Sequence, residues 1–299
     1  MELMRKWVQV ITGFLINAYW AFPFTRTIYQ GPLKVICAPG LNCYSCPAST
    51  SYCAIGALQQ LMAGVRPALE NGQYFLGFYV LGSIGVLGAF FGRLICGWAC
   101  PFGFVQELIH KIPSPKFGLP RPLKYVKYFM LVFFVFLLPL LVVDQFGGGH
   151  PWFCKYVCPA GTAEAGIPML LMQPSLRTTI GWLFYNKLII MTVFLVWAVF
   201  VSRPFCRTTC PLGAFYSLFA KARLVKLRLD EARCTKCGAC HRVCPMGVKF
   251  SEEPDDVECI SCMACMNEAC KENAIYLEVG GVAFGRPPQP RVPAKGEAP

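Results

Sequence analysis

Four stretches of the chain stay apolar for long enough to be expected to cross hydrocarbon: about 7–24, 74–91, 125–143 and 187–201. A helix rises 1.5 Å per residue and a bilayer core is about 30 Å thick, so each stretch predicts a membrane helix. The third runs from Phe129 to Val143 without a charge. The first is interrupted by Gln9, Thr12 and Asn17 and starts on Arg5-Lys6, as a signal peptide would. No small-residue cleavage site follows, and Tyr19, Trp20 and Phe22 form an aromatic belt, so an uncleaved anchor is expected rather than a cleaved signal. Past the fourth stretch the pattern turns polar, and from Gly280 it becomes rich in Pro, Gly and Arg, which predicts disorder over 280–299. The expected domains are a transmembrane part over 1–228, a compact segment over 229–279, and the tail.

Charge then orients the spans. Short loops rich in Lys and Arg stay cytoplasmic. Arg5 and Lys6 precede the first span; Arg93, Lys111, Lys116, Arg121, Lys124 and Lys127 lie between or at the borders of the second and third; Arg203, Arg207, Lys221, Arg223, Lys226 and Arg228 follow the fourth. The other two loops carry only Arg26, Lys34, Arg66, Lys155 and Arg177. A multi-pass protein of the cytoplasmic membrane with both termini inside is expected. With 55% hydrophobic and 15% charged residues, the net charge of +12 reads as a topology signal, not as a nucleic-acid surface, because the aromatics sit inside the spans.

Eighteen cysteines supply the chemistry. Cys234, Cys237, Cys240 and Cys244 are spaced C-x2-C-x2-C-x3-C before Pro245, the bacterial ferredoxin run, in which the fourth cysteine serves the other of two clusters. Cys259, Cys262 and Cys265 repeat the triplet and Cys270 closes it. One 4Fe-4S cluster is therefore expected on Cys234, Cys237, Cys240 and Cys270, and a second on Cys259, Cys262, Cys265 and Cys244. The last gap is x4, and Lys271 stands where the run has proline. A zinc ribbon would use two separated pairs rather than two triplets.

Three further copies of Cys-x3-Cys-Pro sit at the ends of apolar runs: Cys96/Cys100, Cys154/Cys158 and Cys206/Cys210. The first and third both follow cytoplasmic span ends. They share flanks, Arg93-x2-Cys-x3-Cys-Pro-Phe-Gly103 and Arg203-x2-Cys-x3-Cys-Pro-Leu-Gly213, which is an internal repeat. Cys96, Cys100, Cys206 and Cys210 are thus expected to hold a third cluster. Cys154 and Cys158 remain, with Cys37, Cys43, Cys46 and Cys53 upstream. A fourth cluster on Cys154, Cys158 and two of those four is the simplest fit, with the two left open and disulfides as the rival.

The ordered motifs Gly40-Leu-Asn-Cys-Tyr-Ser-Cys-Pro47, Gly92 to Gly103, Pro151 to Gly161 and Arg203 to Gly213, followed by a two-cluster segment, resemble the membrane-bound 4Fe-4S polyferredoxins of the NapH and NosR type. The resemblance covers nearly all of 1–279. Ala54, in place of proline after Cys53, and the widened Cys265-x4-Cys270 gap depart from the family pattern. The resemblance implies a non-catalytic electron-transfer subunit working between a quinol or cytoplasmic donor and a partner across the membrane. The expected fold is mainly α: a four-transmembrane-helix bundle with an internal repeat and a C-terminal ferredoxin-like α+β domain. Four 4Fe-4S clusters, membrane lipid, redox partner proteins and a candidate quinone complete the expectation. If inner and outer sites sat at opposite faces of the bilayer, one tunnelling step would be slow, so the motifs must dip inward or another carrier intervene.

The rival function is a membrane oxidoreductase acting directly on quinol or a metal ion, or a redox-sensing regulator. No Rossmann fingerprint, phosphate loop or c-type haem motif is present, which favours the carrier. His150 beside Gly147–Gly149 reads as a loop residue, Asp144 and Glu164 as loop carboxylates near the outer cysteines, and His110 and His241 as structural.

Overall fold

The computed structural model describes residues 2–72, 77–145 and 147–284. The start of the second apolar stretch and residues 285–299 of the expected tail lie outside the described residues. Among the described residues two helices are long and apolar enough to cross a membrane, Arg121–Leu141 with 21 residues and Trp182–Phe200 with 19, where the hydrophobic pattern predicts four. Only 22% and 11% of their apolar windows are buried. Tyr125, Phe129, Val132 and Leu141 on one, and Trp182, Ile189, Val193 and Val196 on the other, face outward. A core helix of a soluble protein would bury those side chains.

The other two stretches differ from expectation for physical reasons. Phe78–Phe91 is a 14-residue helix, which reaches only about 21 Å. The N-terminal stretch is not one span: it divides into Glu2–Ile16 and a short turn, Phe22–Thr25. In Glu2–Ile16 the amphipathic pattern is inverted. Leu3, Trp7, Val10, Ile11 and Phe14 are exposed, whereas Arg5 and Gln9 are buried. Both polar side chains donate to Gly97 O, at 3.2 and 2.9 Å, and Arg5 also pairs with Glu107. The polar face is thus consumed by protein contacts and the apolar face is left outside.

The helix at the centre, Ala54–Glu70, was not foreseen from the apolar runs. It buries Ala54, Ile55, Ala57, Leu58, Gln59, Leu61 and Ala63, packing against the Arg121–Leu141 and Phe78–Phe91 helices. A helix shielded by other helices needs small residues more than strong hydrophobicity, and this one is alanine-rich.

The C-terminal segment is framed by an antiparallel sheet, β3 (Val225–Leu229), β4 (Ile275–Val279) and β5 (Val282–Phe284), with Leu227 opposite Leu277. β5 carries the fold past residue 279. Two shorter strands, β1 (Cys37–Ala38) and β2 (Tyr52–Cys53), pair in parallel ahead of the central helix. The ferredoxin-like segment is fastened to the helical body by buried ionic contacts. Glu258 accepts from Arg93 Nη1 at 2.7 Å and also pairs with Lys127. Arg223 Nη1 donates to Cys259 O at 2.9 Å and Trp98 Nε1 to Ser261 O at 3.0 Å. Burial alone would raise the Glu258 carboxyl, yet Arg93 and Lys127 hold it down at about 2.

Candidate metal centres

Four cysteines occupy the same place in four helices. Cys53, Cys100, Cys158 and Cys210 are N-caps in extended conformation, ψ 131°, 113°, 112° and 110°, of the helices opening at Ala54, Pro101, Pro159 and Pro211. Proline suits the first helical position, since its missing N–H is an orphan there anyway. Ala54 keeps the same geometry, so this departure changes nothing locally. In each case a glycine stands three residues on, Gly56, Gly103, Gly161 and Gly213, and its backbone N–H favours the thiolate of the cap cysteine without closing a cap hydrogen bond. A helix N-terminus thereby presents N–H dipoles to a thiolate.

The repeat continues beyond the caps. Six residues after Cys100, Gln106 Nε2 donates to Cys206 Sγ at 3.2 Å while its Oε1 accepts from Phe205 N at 3.1 Å. Six residues after Cys53, Gln59 Nε2 donates to Cys154 Sγ at 3.0 Å while its Oε1 accepts from Phe153 N at 2.8 Å. Two equivalent groups result. One gathers Cys96, Cys100, Cys206 and Cys210, where Cys96, Cys100 and Cys206 all act on the Cys210 thiol. The second gathers Cys43, Cys53, Cys154 and Cys158 around a cavity of about 340 Å³ that also touches Gly161 and Lys187. Cys37 and Cys46 do not line that cavity: Cys37 sits in β1, and Cys46 Sγ donates to Asn17 Oδ1 at 3.6 Å. All eighteen cysteines are free thiols.

The two arginines of the repeat cross over the first group. Arg203 Nη1 donates to Cys96 O at 2.7 Å and would lie 3.1 Å from a Cβ at Gly103, and Arg93 Nη2 would lie 3.4 Å from a Cβ at Gly213. Glycine at both positions makes room for the guanidinium of the opposite half. Glu107 neutralises Arg203 and Arg5 together, and these two cations hold its carboxyl below the usual range against the opposing effect of burial.

The groups are adjacent. A Cβ at Gly40 would lie 3.2 Å from Ala99 O and Cys100 Cα, and Tyr216 Oη donates to Pro39 O at 3.0 Å. The Cys37–Cys53 region therefore packs on the Cys100 turn instead of standing a bilayer away. On the other side, a Cβ at Gly97 would meet Ile260 O at 2.6 Å, so the Cys96 loop touches the Cys259 loop directly.

In the C-terminal segment Cys234, Cys237, Cys240 and Cys270 line a cavity of about 320 Å³, with Arg233, Lys236, Arg242 and Lys271 about it. Cys244, Cys259, Cys262 and Cys265 converge on a tighter one, shared with Cys240. The extra residue before Cys270 is taken up by a π turn over Cys265–Ala269, in which Cys270 N donates to Cys265 O at 3.0 Å.

Two of the donor sets fit a multi-iron group better than one ion. Among the described residues no three His, Cys, Asp or Glu side chains close on a single-ion point, whereas two four-cysteine sets surround cavities of several hundred Å³. Burial pushes the thiols up, Cys100 to about 11 and Cys43 and Cys158 to about 12, with neighbouring cysteines adding to it. Thiolates there need a cationic partner. The Nε and Nη2 atoms of Arg93 are buried without a hydrogen-bond partner, leaving unspent N–H donors on a guanidinium that acts on Cys96 and Cys206 of the first group.

The remaining expectations place simply. His110 Nδ1 lies 3.0 Å from Ala198 O and His241 Nδ1 3.2 Å from Val248 O, both structural contacts. Asp144 Oδ1 accepts from Gly148 N within a turn, and His150 is exposed. Glu164 is not a solvated loop carboxylate: it is half-buried and accepts from Cys43 N at 2.6 Å, with burial raising it to about 7. Gln59 and Gln106 went unnoticed in the sequence; a shared Cys-x5-Gln spacing, with Phe before Cys154 and Cys206, was the available signal.

Comparison with known proteins gives the family. The 4Fe-4S binding domain family matches residues 74–120, 126–167 and 183–229, one cysteine pair in each, and a second 4Fe-4S binding domain matches 227–250. Two uncharacterized proteins of Methanocaldococcus jannaschii are 33% and 32% identical over 192 and 218 residues, covering 64% and 66% of this chain and 66% and 81% of theirs. The methylamine utilization ferredoxin-type protein MauN of Methylorubrum extorquens is 30% identical over 192 residues, 63% of this chain and 58% of its own. The similarity thus spans between about half and four fifths of these relatives' lengths. No solved structure matches.

Proposed function

The chain belongs to the family of 4Fe-4S-binding electron-transport proteins, and on that premise we propose that it is a membrane-embedded relay subunit carrying single electrons along four cluster sites. Cys234, Cys237, Cys240 and Cys270 would hold the first cluster, Cys244, Cys259, Cys262 and Cys265 the second, Cys96, Cys100, Cys206 and Cys210 the third, and Cys43, Cys53, Cys154 and Cys158 the fourth. Bound there, a 4Fe-4S cluster supplies one-electron exchange at a potential set by burial and by hydrogen bonds to its sulfurs. The single observation that carries the reading is the unbroken packing between sites: Gly97 on Ile260, then Gly40 on Cys100. It also supports a short path between sites, since direct backbone contacts, not the thickness of a bilayer, lie between the neighbouring cysteine loops.

Exposure sets the ends of the line. Cys237 is exposed, with exposed Lys236, Arg242 and Lys271 near it, so a protein donor with an acidic face has access to the first site. Membrane placement is supported by the outward apolar faces of Arg121–Leu141, Trp182–Phe200, Phe78–Phe91 and Glu2–Ile16. In this reading the transmembrane part extends over 1–228, and the ferredoxin-type domain from 229 through β5 lies on the cytoplasmic side. The second reading, direct reaction with a quinone, has one observation in its favour: a cavity of about 550 Å³ lined by Tyr44, Tyr52, Gly56, Gln60 and Leu61 beside the fourth site. A relay predicts that reduced flavodoxin, a protein donor too large to enter the body, reduces all four sites of the wild type, and that Cys237→Ser blocks reduction of the third and fourth. Unimpaired reduction of those sites in Cys237→Ser would contradict it.

A further inference from the structure

Two buried glutamines stand in the same relation to the two cysteine groups of the helical body, and neither belongs to the cysteine motifs. Gln59 is fully buried and Gln106 is 1% exposed. Each spends its whole amide. Oε1 accepts the backbone N–H of the phenylalanine before a cysteine, Phe153 or Phe205. One Nε2 hydrogen goes to the carbonyl four residues back, Ile55 O at 3.2 Å or Phe102 O at 3.3 Å. The other goes to the cysteine sulfur, Cys154 or Cys206.

The phenylalanine N–H settles which way the amide points, since only oxygen can accept there, and the NH2 group is then turned toward sulfur. A glutamine kept only to satisfy its own helix would have no reason to recur at the same offset from two N-cap cysteines with the same three partners. An ionised glutamate would fit the space and keep the phenylalanine contact, but it could not donate to sulfur. The amide donor is the feature both sites retain.

We propose that Gln59 and Gln106 are positioning residues that set the reduction potentials of the fourth and third sites, each acting on its own site by an N–H···S bond to one ligand. A donor to sulfur spreads negative charge off the cluster and favours its reduced form, so the bond raises the potential. The assignment rests on the four-cluster reading above.

The test is an anaerobic potentiometric titration followed by electron paramagnetic resonance, with iron counted, on full-length wild type, Gln59→Leu, Gln106→Leu, Gln59→Glu and Gln106→Glu. Gln106→Leu is expected to lower the potential of one signal only, by a roughly tenfold change in the reduced-to-oxidised ratio at fixed poise, about 59 mV for one electron. Gln59→Leu should lower a different one. Titrated at alkaline pH, where a buried carboxyl is ionised, the glutamate variants should move the same two signals in the same direction and further, since they then lose the donor and add negative charge. Should a leucine variant lose iron, the isosteric glutamate variant decides. Potentials unchanged at full iron content, or both signals moving together in each variant, would overturn the proposal. A wild type lacking these two signals would instead overturn the four-cluster reading.

Discussion

Glu258→Gln isolates the contact that fastens the ferredoxin-like segment to the helical body. The Arg93, Lys127 and Glu258 side chains are 0%, 0% and 5% exposed, and one carboxylate serves both cations. Removing its charge leaves two cations buried beside a neutral amide, a change that costs about 3–5 kcal/mol in comparable buried networks. The depressed Glu258 carboxyl reports the same attraction. Its folded value of about 2 lies below the ordinary 4.5, and each unit corresponds to about 1.4 kcal/mol, which gives about 3 kcal/mol. The sign follows: a depressed carboxyl adds stability above its unfolded value and loses it as pH falls from about 4.5 toward 2. Hydrogen exchange across 257–262 at neutral pH, in detergent, is the assay. Exchange there should speed up by about two orders of magnitude or more in Glu258→Gln, while the Glu2–Ile16 helix stays protected. Glu107→Gln, which strips the Arg5 and Arg203 pairings, should show the opposite distribution. Wild-type protection of 257–262 in Glu258→Gln would refute the reasoning.

Gly97→Ala introduces a Cβ 2.6 Å from Ile260 O, an overpacking expected to cost about 1–3 kcal/mol and to slow electron passage from the second site to the third, measured by rapid-mix reduction; an unchanged rate would show the contact is not on the route. Lys236→Glu with Arg242→Glu should weaken reduction by an acidic protein donor and flatten its salt dependence, while leaving the small reductant dithionite unaffected.

The sequence made the chemistry legible and the packing much less so. The two ferredoxin triplets, and the Arg93 and Arg203 repeat, lie in short windows where spacing alone carries the signal. Cys53 was legible only in part, because its Ala54 hides the Cys-Pro signature that N-cap geometry restores. The Glu2–Ile16 helix misled for a reason specific to it: its apolar face is outward, so Arg5 and Gln9 interrupt the hydrophobic run although they are satisfied against Gly97 and Glu107. The Ala54–Glu70 helix was invisible to hydropathy because other helices shield it. Adjacency of the inner and outer cysteine groups depends on Gly40 meeting Cys100, a contact between residues sixty positions apart that no local pattern encodes.

Iron and acid-labile sulfide counted per chain, on protein purified without oxygen as wild type, Cys53→Ser and Cys46→Ser, test the four-site account most directly. The account predicts about 16 iron atoms in the wild type and in Cys46→Ser, and about 12 in Cys53→Ser. About 12 in the wild type would remove the fourth site, about 8 would leave only the ferredoxin-like segment, and equal loss in Cys46→Ser would show that the wrong cysteines had been assigned.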